Sequence, residues 1–267
     1  MLAVTRTSIM TAAGPLQTCA GQEAGIEAAV HAMRSIAEED ETEAVLLVDA
    51  QNAFNCLNRL TALINIRSIC PMLSNILVNT YRSPTCLFVG GETLISNEGV
   101  TQGDPLAMAM YALASVPLIR RVSTENTRQI WFADDATAGG KLTTTKEWWD
   151  KLSTVGPFYG YNVNGPKSSL FVKQAVSEDA KRLFANTGVR ITTVGTRHLG
   201  SAIGSEEFVR DFVQSKVEKW VGEMELLSRI AQTEPHAAFS AYTHGLVSRW
   251  TYAGRSLPNV SSLLEPV

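Results

Sequence analysis

In "QEAGIEAAVHAMRSIAEED" the apolar residues Ile26, Val30, Met33 and Ile36 recur at a spacing of three to four, which predicts an amphipathic helix. Its acidic end leads into "AVLLVDA", a short unbroken apolar run that predicts a buried strand ending on Asp49. Two helical segments follow. "TCLFVGGETLIS" then alternates around Gly90 and Gly91, the pattern of a hairpin. "TQGDPLAMAMYALASVPLI" predicts a core helix, with Asp104 at the N-cap and Pro105 at the first helical position. "QIWFA" and "ATAGG" read as two short strands on either side of Asp134 and Asp135. A helix through "KEWWDKLSTVGPFYGY", a strand "SLFVK" and a helix from Ser177 to near Gly188 come next. After Ser205, Val209, Phe212, Val213, Val217, Trp220, Val221, Met224 and Leu227 repeat at helical spacing in one long amphipathic helix. Strands interleaved with helices, followed by helices alone, predict an α+β core with a helical C-terminal piece.

Adjacent side chains on an extended strand point to opposite faces, so Asp134 and Asp135 could serve one site only if the chain turns there. A lone acidic pair at a turn is ordinarily a solvated turn. The second apolar strand, which also ends on an aspartate, changes that reading. Two buried strands ending in carboxylates suit a divalent cation such as Mg²⁺, since carboxylates held close together repel without one.

Composition narrows the classes. With 267 residues, 45% of them hydrophobic, the chain can bury one large core or two smaller ones. A net charge of −3 argues against coating nucleic acid by bulk electrostatics, so any such binding must be local. Cys19, Cys56, Cys70 and Cys86 are far apart, and the four histidines do not join them at zinc-ligand spacing. Reduced thiols in an intracellular compartment, cytoplasmic or nuclear, are expected. The most apolar stretch is too short to span a bilayer and contains Pro117, so no membrane partner is expected.

The stretches "LLVDAQNAFNCLNR", "GVTQGDPLAMAMYALA", "FADDATAGG", "GPFYGYNVNGPKSSL" and "HLGSAIG" occur in the order and at the approximate spacing of the reverse transcriptase family. Over roughly residues 12 to 204 the chain resembles that family, and non-LTR retrotransposon and related retroelement polymerases in particular. The resemblance implies an RNA-directed DNA polymerase with a right-hand palm, an antiparallel sheet with helices packed on one face. It divides the chain into partial fingers at 1–44, palm at 45–204 and a helical thumb or connection segment at 205–267. Asp49 and Asp134 would be the principal ligands of two Mg²⁺ ions, for which Mn²⁺ could substitute, with Asp135 as companion carboxylate and the Ala50 carbonyl as a further ligand. Phe54 would be the steric gate against a 2′-hydroxyl, and Gln102 and Gly103 would lie at the incoming nucleotide. Lys167 would protonate the leaving pyrophosphate, and His198, Leu199 and Gly200 would form the primer grip. The implied partners are an RNA template, a DNA primer, deoxynucleoside triphosphates and other parts of a parent retroelement protein.

Plainer readings stand beside these. Phe54 could be core, Asp104 and Pro105 a capped helix start, and Lys167 a solvated lysine. The chain also departs from the family pattern, with Asn55 where an acidic residue is usual and "LQTCAGQEAG" where an arginine-bearing stretch is expected. The basic fingers residues that clasp triphosphate would precede Met1, so a truncated polymerase is expected. Two other classes remain: a catalytically weak or inactive remnant acting as a nucleic-acid or protein binding module, and a palm-fold nucleotidyl enzyme with other substrates. Phe54 argues against ribonucleotide use, and the primer-grip match argues against a cyclase.

Overall fold

The computed structural model describes residues 2–258 and 260–266. Two compact units divide between Thr192 and Thr193.

The first unit opens with α1 (Leu2–Ala13) and α2 (Gly25–Glu38), then β1 (Ala44–Val48) and three short helices, α3 (Ala53–Cys56), α4 (Arg59–Ile69) and α5 (Pro71–Tyr81). The hairpin β2 (Thr85–Val89) and β3 (Glu92–Ser96) turns at Gly90 and Gly91 as expected, and its ten paired positions are nearly all exposed. Next come α6 (Ala107–Val122), β4 (Thr127–Phe132), β5 (Asp135–Gly140), α7 (Leu142–Val155), β6 (Ser169–Val172), α8 (Ser177–Leu183) and β7 (Arg190–Thr192). One sheet takes the order β4-β5-β1-β6-β7, antiparallel except for the β6–β7 pair.

Helix α6 is buried over nearly its whole circumference because its two halves serve two cores. Residues 107–114 pack with α1, α4 and α5, while Leu118, Ile119 and Val122 pack with the sheet and with Trp148 and Leu152 of α7. The other sheet face is covered as well. Val45 and Gly139 face each other across β1 and β5, and a Cβ at Gly139 would meet Ile36 and Met33 of α2. Successive strand residues alternate faces, so α2 lies opposite the layer that receives Ala44, Leu46 and Ala138. The expectation of helices on one face is corrected to helices on both, and this explains why β1 reads as an unbroken apolar run.

Two local expectations are also corrected. Helix α6 begins at Ala107 with Leu106 as its N-cap, so Asp104 and Pro105 lie in the turn before it. Asp104 instead accepts from the Leu106 N–H at 2.8 Å and from the Tyr81 hydroxyl. Helix α8 stops at Leu183 rather than near Gly188.

The second unit carries the hairpin β8 (Gly195–His198) and β9 (Ser201–Gly204), then α9 (Glu206–Ala231), α10 (Pro235–Ala241) and α11 (Val247–Ser256). Ser205 caps α9 by accepting from the Phe208 N–H. Val213, Val217 and Trp220 of that helix are buried against Leu246, Ala253 and Leu257.

Candidate functional site

Strands β4 and β5 pair from Thr127–Gly140 to Phe132–Asp135, leaving Ala133 and Asp134 as a two-residue turn. The turn expected at the aspartate pair is therefore present, with Asp134 in the loop and Asp135 opening β5. On the other side of β5, Val48 of β1 pairs with Ala136. That register, continued by one residue, sets Asp49 opposite Asp135, where directly opposed residues share a sheet face.

The three carboxylates feel one another. Burial pushes Asp134 above the usual carboxylate range, and the negative charge of Asp49 adds to the shift. Asp135 is pushed up to about 6, first by burial of its carboxyl and then by Asp134 and Asp49. The residue as a whole is nevertheless exposed to solvent. Two carboxyls of lowered acidity beside a third acid, with no ion pair to them among the described residues, are a charge imbalance that a cation would relieve.

The segment after Tyr161 holds Asp49 in place. Asn164 N–H donates to the Asp49 carbonyl and Gln51 N–H to the Asn162 carbonyl, both at 2.8 Å, around a bridge between Ala50 and Val163. Neither bond uses the Ala50 carbonyl. The Asp49 N–H donates to the Ser168 hydroxyl at 3.1 Å, and that hydroxyl donates to Asn164 O. Lys167 lies in this same turn, next to Ser168, with its side chain exposed. Among the described residues no hydrogen bond joins Lys167 or Gln102 to a carboxylate.

Behind the Asp134 turn sits an aromatic wall. The Tyr161 hydroxyl donates to the Asp134 carbonyl at 2.8 Å, and its ring meets Trp131 edge-on at 5.3 Å. Tyr111, buried in α6, has its phenol pushed well above its ordinary range by burial, with Asp134 and Asp135 contributing. Its ring also stacks on Phe54 at 4.4 Å. Tyr111 thus places the candidate gate and the carboxylates around one side chain. Gln102 and Gly103 are exposed in the loop before α6, and Gly103 has a φ of 92°, a conformation open to glycine. That loop is tied to the gate through Val100 N–H, which donates to the Phe54 carbonyl at 2.8 Å.

His198, Leu199 and Gly200 belong to the second unit. Buried His198 ends β8, Leu199 and Gly200 form the turn into β9, and the Tyr252 hydroxyl donates to the Leu199 carbonyl at 2.5 Å.

One residue at the turn had no signal in the sequence. Gln17, fully buried, accepts from the Ala133 N–H at 2.9 Å through Oε1 and donates through Nε2 to the Ala133 carbonyl at 3.0 Å and to the Ser115 hydroxyl at 2.9 Å. Its neighbours Leu16 and Thr18 exchange backbone bonds with Trp131, so this short stretch runs along the free edge of β4. Cys19 beside it is pushed up to about 12 by burial and is inert as a nucleophile.

The donor set at the turn is all hard oxygen, which suits Mg²⁺ or Mn²⁺ and disfavours soft metals. Among the described residues no three His, Cys, Asp or Glu side chains form a ready-made cage. Mg²⁺ does not need one, since one or two carboxylates plus substrate phosphates commonly hold it.

The fold is shared with solved telomerase structures. Among solved structures, the chain is similar to telomerase from Candida albicans in complex with the TWJ fragment of telomeric RNA. That match has 10% identity and a TM-score of 0.56 over 93% of this chain and 47% of that one. It is also similar to apo telomerase from Candida tropicalis, with 13% identity and a TM-score of 0.53 over 76% of this chain and 38% of that one. The chain spans less than half the length of either. No family model matches it, and no curated protein does. No helix among the described residues is long and apolar enough to cross a membrane.

Proposed function

We propose that this chain is the palm-bearing part of an RNA-directed DNA polymerase of the retroelement type, adding deoxynucleotides to a primer 3′ end on an RNA template. The observation that carries this reading is the pairing of adjacent central strands β1 and β5, which sets Asp49 beside the Asp134–Asp135 turn.

Bound Mg²⁺, in two ions, would supply the clamp on the entering and leaving oxygens of the phosphoryl displacement. Asp49 and Asp134 would hold the ions, the Ala50 carbonyl would add a neutral donor, and Asp135 would tune the local charge. The Phe54 ring lies under the sugar and excludes a 2′-hydroxyl. Gln102 and Gly103 border the nucleotide. Lys167 neutralises and protonates the departing pyrophosphate. In the second unit, His198 and the Leu199–Gly200 turn after it would offer backbone groups to a primer.

Primer extension on an RNA template, with deoxynucleotides and Mg²⁺ or Mn²⁺, tests the reading directly. Asp134→Asn is expected to take extension below detection, because it removes a carboxylate that both ions would share. Extension that survives the substitution refutes the site. A native chain that binds primer-template without extending it fits the binding module instead.

A further inference from the structure

We infer that Gln17 is the positioning residue of the Ala133–Asp134 turn, and that its side-chain amide sets where the turn carboxylates stand. The metal half of this inference rests on the function proposed above; the clamp itself does not.

The turn is not a relaxed one. Ala133 has a φ of 54°, and a residue with a Cβ enters that left-handed region at a cost of roughly 1–2 kcal/mol. Something must hold it there. The β4–β5 ladder ends at Phe132 and Asp135, so it cannot reach the N–H and carbonyl of Ala133. Gln17 takes both, as a neighbouring strand would, and its third bond runs to the Ser115 hydroxyl, which is itself anchored on the Ala112 carbonyl of α6. The carboxylate turn is thereby tied to the most buried helix of the unit.

Only a carboxamide on a two-methylene stem meets these demands. It offers an acceptor for one backbone group and two donors for the other two sites. An ionised glutamate would set an acceptor against the Ala133 carbonyl, while methionine would remove both of the Gln17 bonds to the buried Ala133. The backbone bonds of Leu16 and Thr18 to Trp131 do not depend on the Gln17 side chain, so the edge stretch survives its replacement.

The test uses the full chain and two readouts. In Gln17→Met, hydrogen exchange at the Ala133 amide is expected to accelerate roughly 10- to 100-fold, the consequence of losing one buried bond, while the Trp131 amide stays protected. Mn²⁺ affinity, followed by paramagnetic resonance, is expected to weaken on the order of 10- to 100-fold, as for partners that orient metal ligands. Thr18→Val is the control, since the Thr18 N–H still donates to Trp131, and it should change neither readout. If Gln17→Met does not fold, Gln17→Asn keeps the amide on a stem too short to span Ala133 and Ser115, and should shift both readouts the same way. Unchanged Ala133 exchange in a folded variant overturns the clamp. Faster exchange with unchanged Mn²⁺ affinity overturns its control of the carboxylates. A native chain that binds no Mn²⁺ removes the proposed function, and the exchange result still decides the clamp.

Discussion

Phe54 lies on α3 with its ring stacked on Tyr111, planes 20° apart, and it is only partly buried against the core that Tyr111 belongs to. Removing a fully buried phenylalanine ring costs about 3–5 kcal/mol. A ring that keeps one side open forfeits less, about 1.5–2.5 kcal/mol for Phe54→Ala, of which roughly 0.5–1.5 is the stack itself. For a chain of this size that corresponds to a fall in Tm of about 3–10 °C. The open side is what a gate requires: a rigid face available to a ligand and backed by a second ring that cannot retreat.

The assay pairs thermal unfolding with single-nucleotide incorporation from matched deoxy- and ribonucleotides. With Phe54→Ala, discrimination against the ribonucleotide should fall roughly 10- to 200-fold, the range over which a pocket rejects one small group by shape. Deoxynucleotide incorporation should remain measurable. A loss of 3–5 kcal/mol with unaltered sugar discrimination would refute the reasoning and return Phe54 to the core.

Two further outcomes follow from the same geometry. Asp135, pushed up to about 6, binds a proton more tightly folded than unfolded, so its contribution to stability is present at low pH and is lost as pH rises from about 4 through 6. Asp135→Asn should therefore raise Tm at pH 8 and leave it nearly unchanged at pH 4, and a Tm difference independent of pH would contradict the burial of that carboxyl. Gly160 has a φ of 79°, and a Cβ there would lie 1.9 Å from the Cys56 carbonyl oxygen. Gly160→Ala should destabilise by more than about 2 kcal/mol in a urea titration, and a change under about 0.5 kcal/mol would mean the end of α3 and the Gly160 turn do not pack this closely.

The elements were legible where one periodicity acted alone. The α2 stripe, the β1 run, the Gly90–Gly91 hairpin and the amphipathic stripe of α9 each follow from local pattern, and each stands where that pattern places it. Helix α6 shows where local pattern loses. Asp104 and Pro105 have the right identities for a helix start, but Tyr81 competes for the carboxylate and the helix opens two residues beyond Pro105. The second layer on the sheet could not be read from strand burial alone. A run such as Val45-Leu46-Leu47-Val48 says that both faces are covered without saying by what, and only the approach of Ile36 and Met33 to Gly139 identifies α2.

The candidate site divides along the same line. A strand that ends on aspartate is visible in the chain, and so is an aspartate pair after an apolar run. What joins them is the register of β1 on β5, a contact between residues almost ninety positions apart that no local pattern encodes. Gln17 is the extreme case. A lone glutamine in "GPLQTCAG" has no periodic partner, no charge and no metal-ligand spacing, so the residue type says nothing about its place. Its meaning comes wholly from what surrounds it: a turn whose backbone groups the ladder leaves unpaired, a φ that alanine resists, and a serine fixed to the helix behind. A carboxylate can advertise a site from the sequence. The neutral side chain that aims the carboxylate emerges only when the strands are paired.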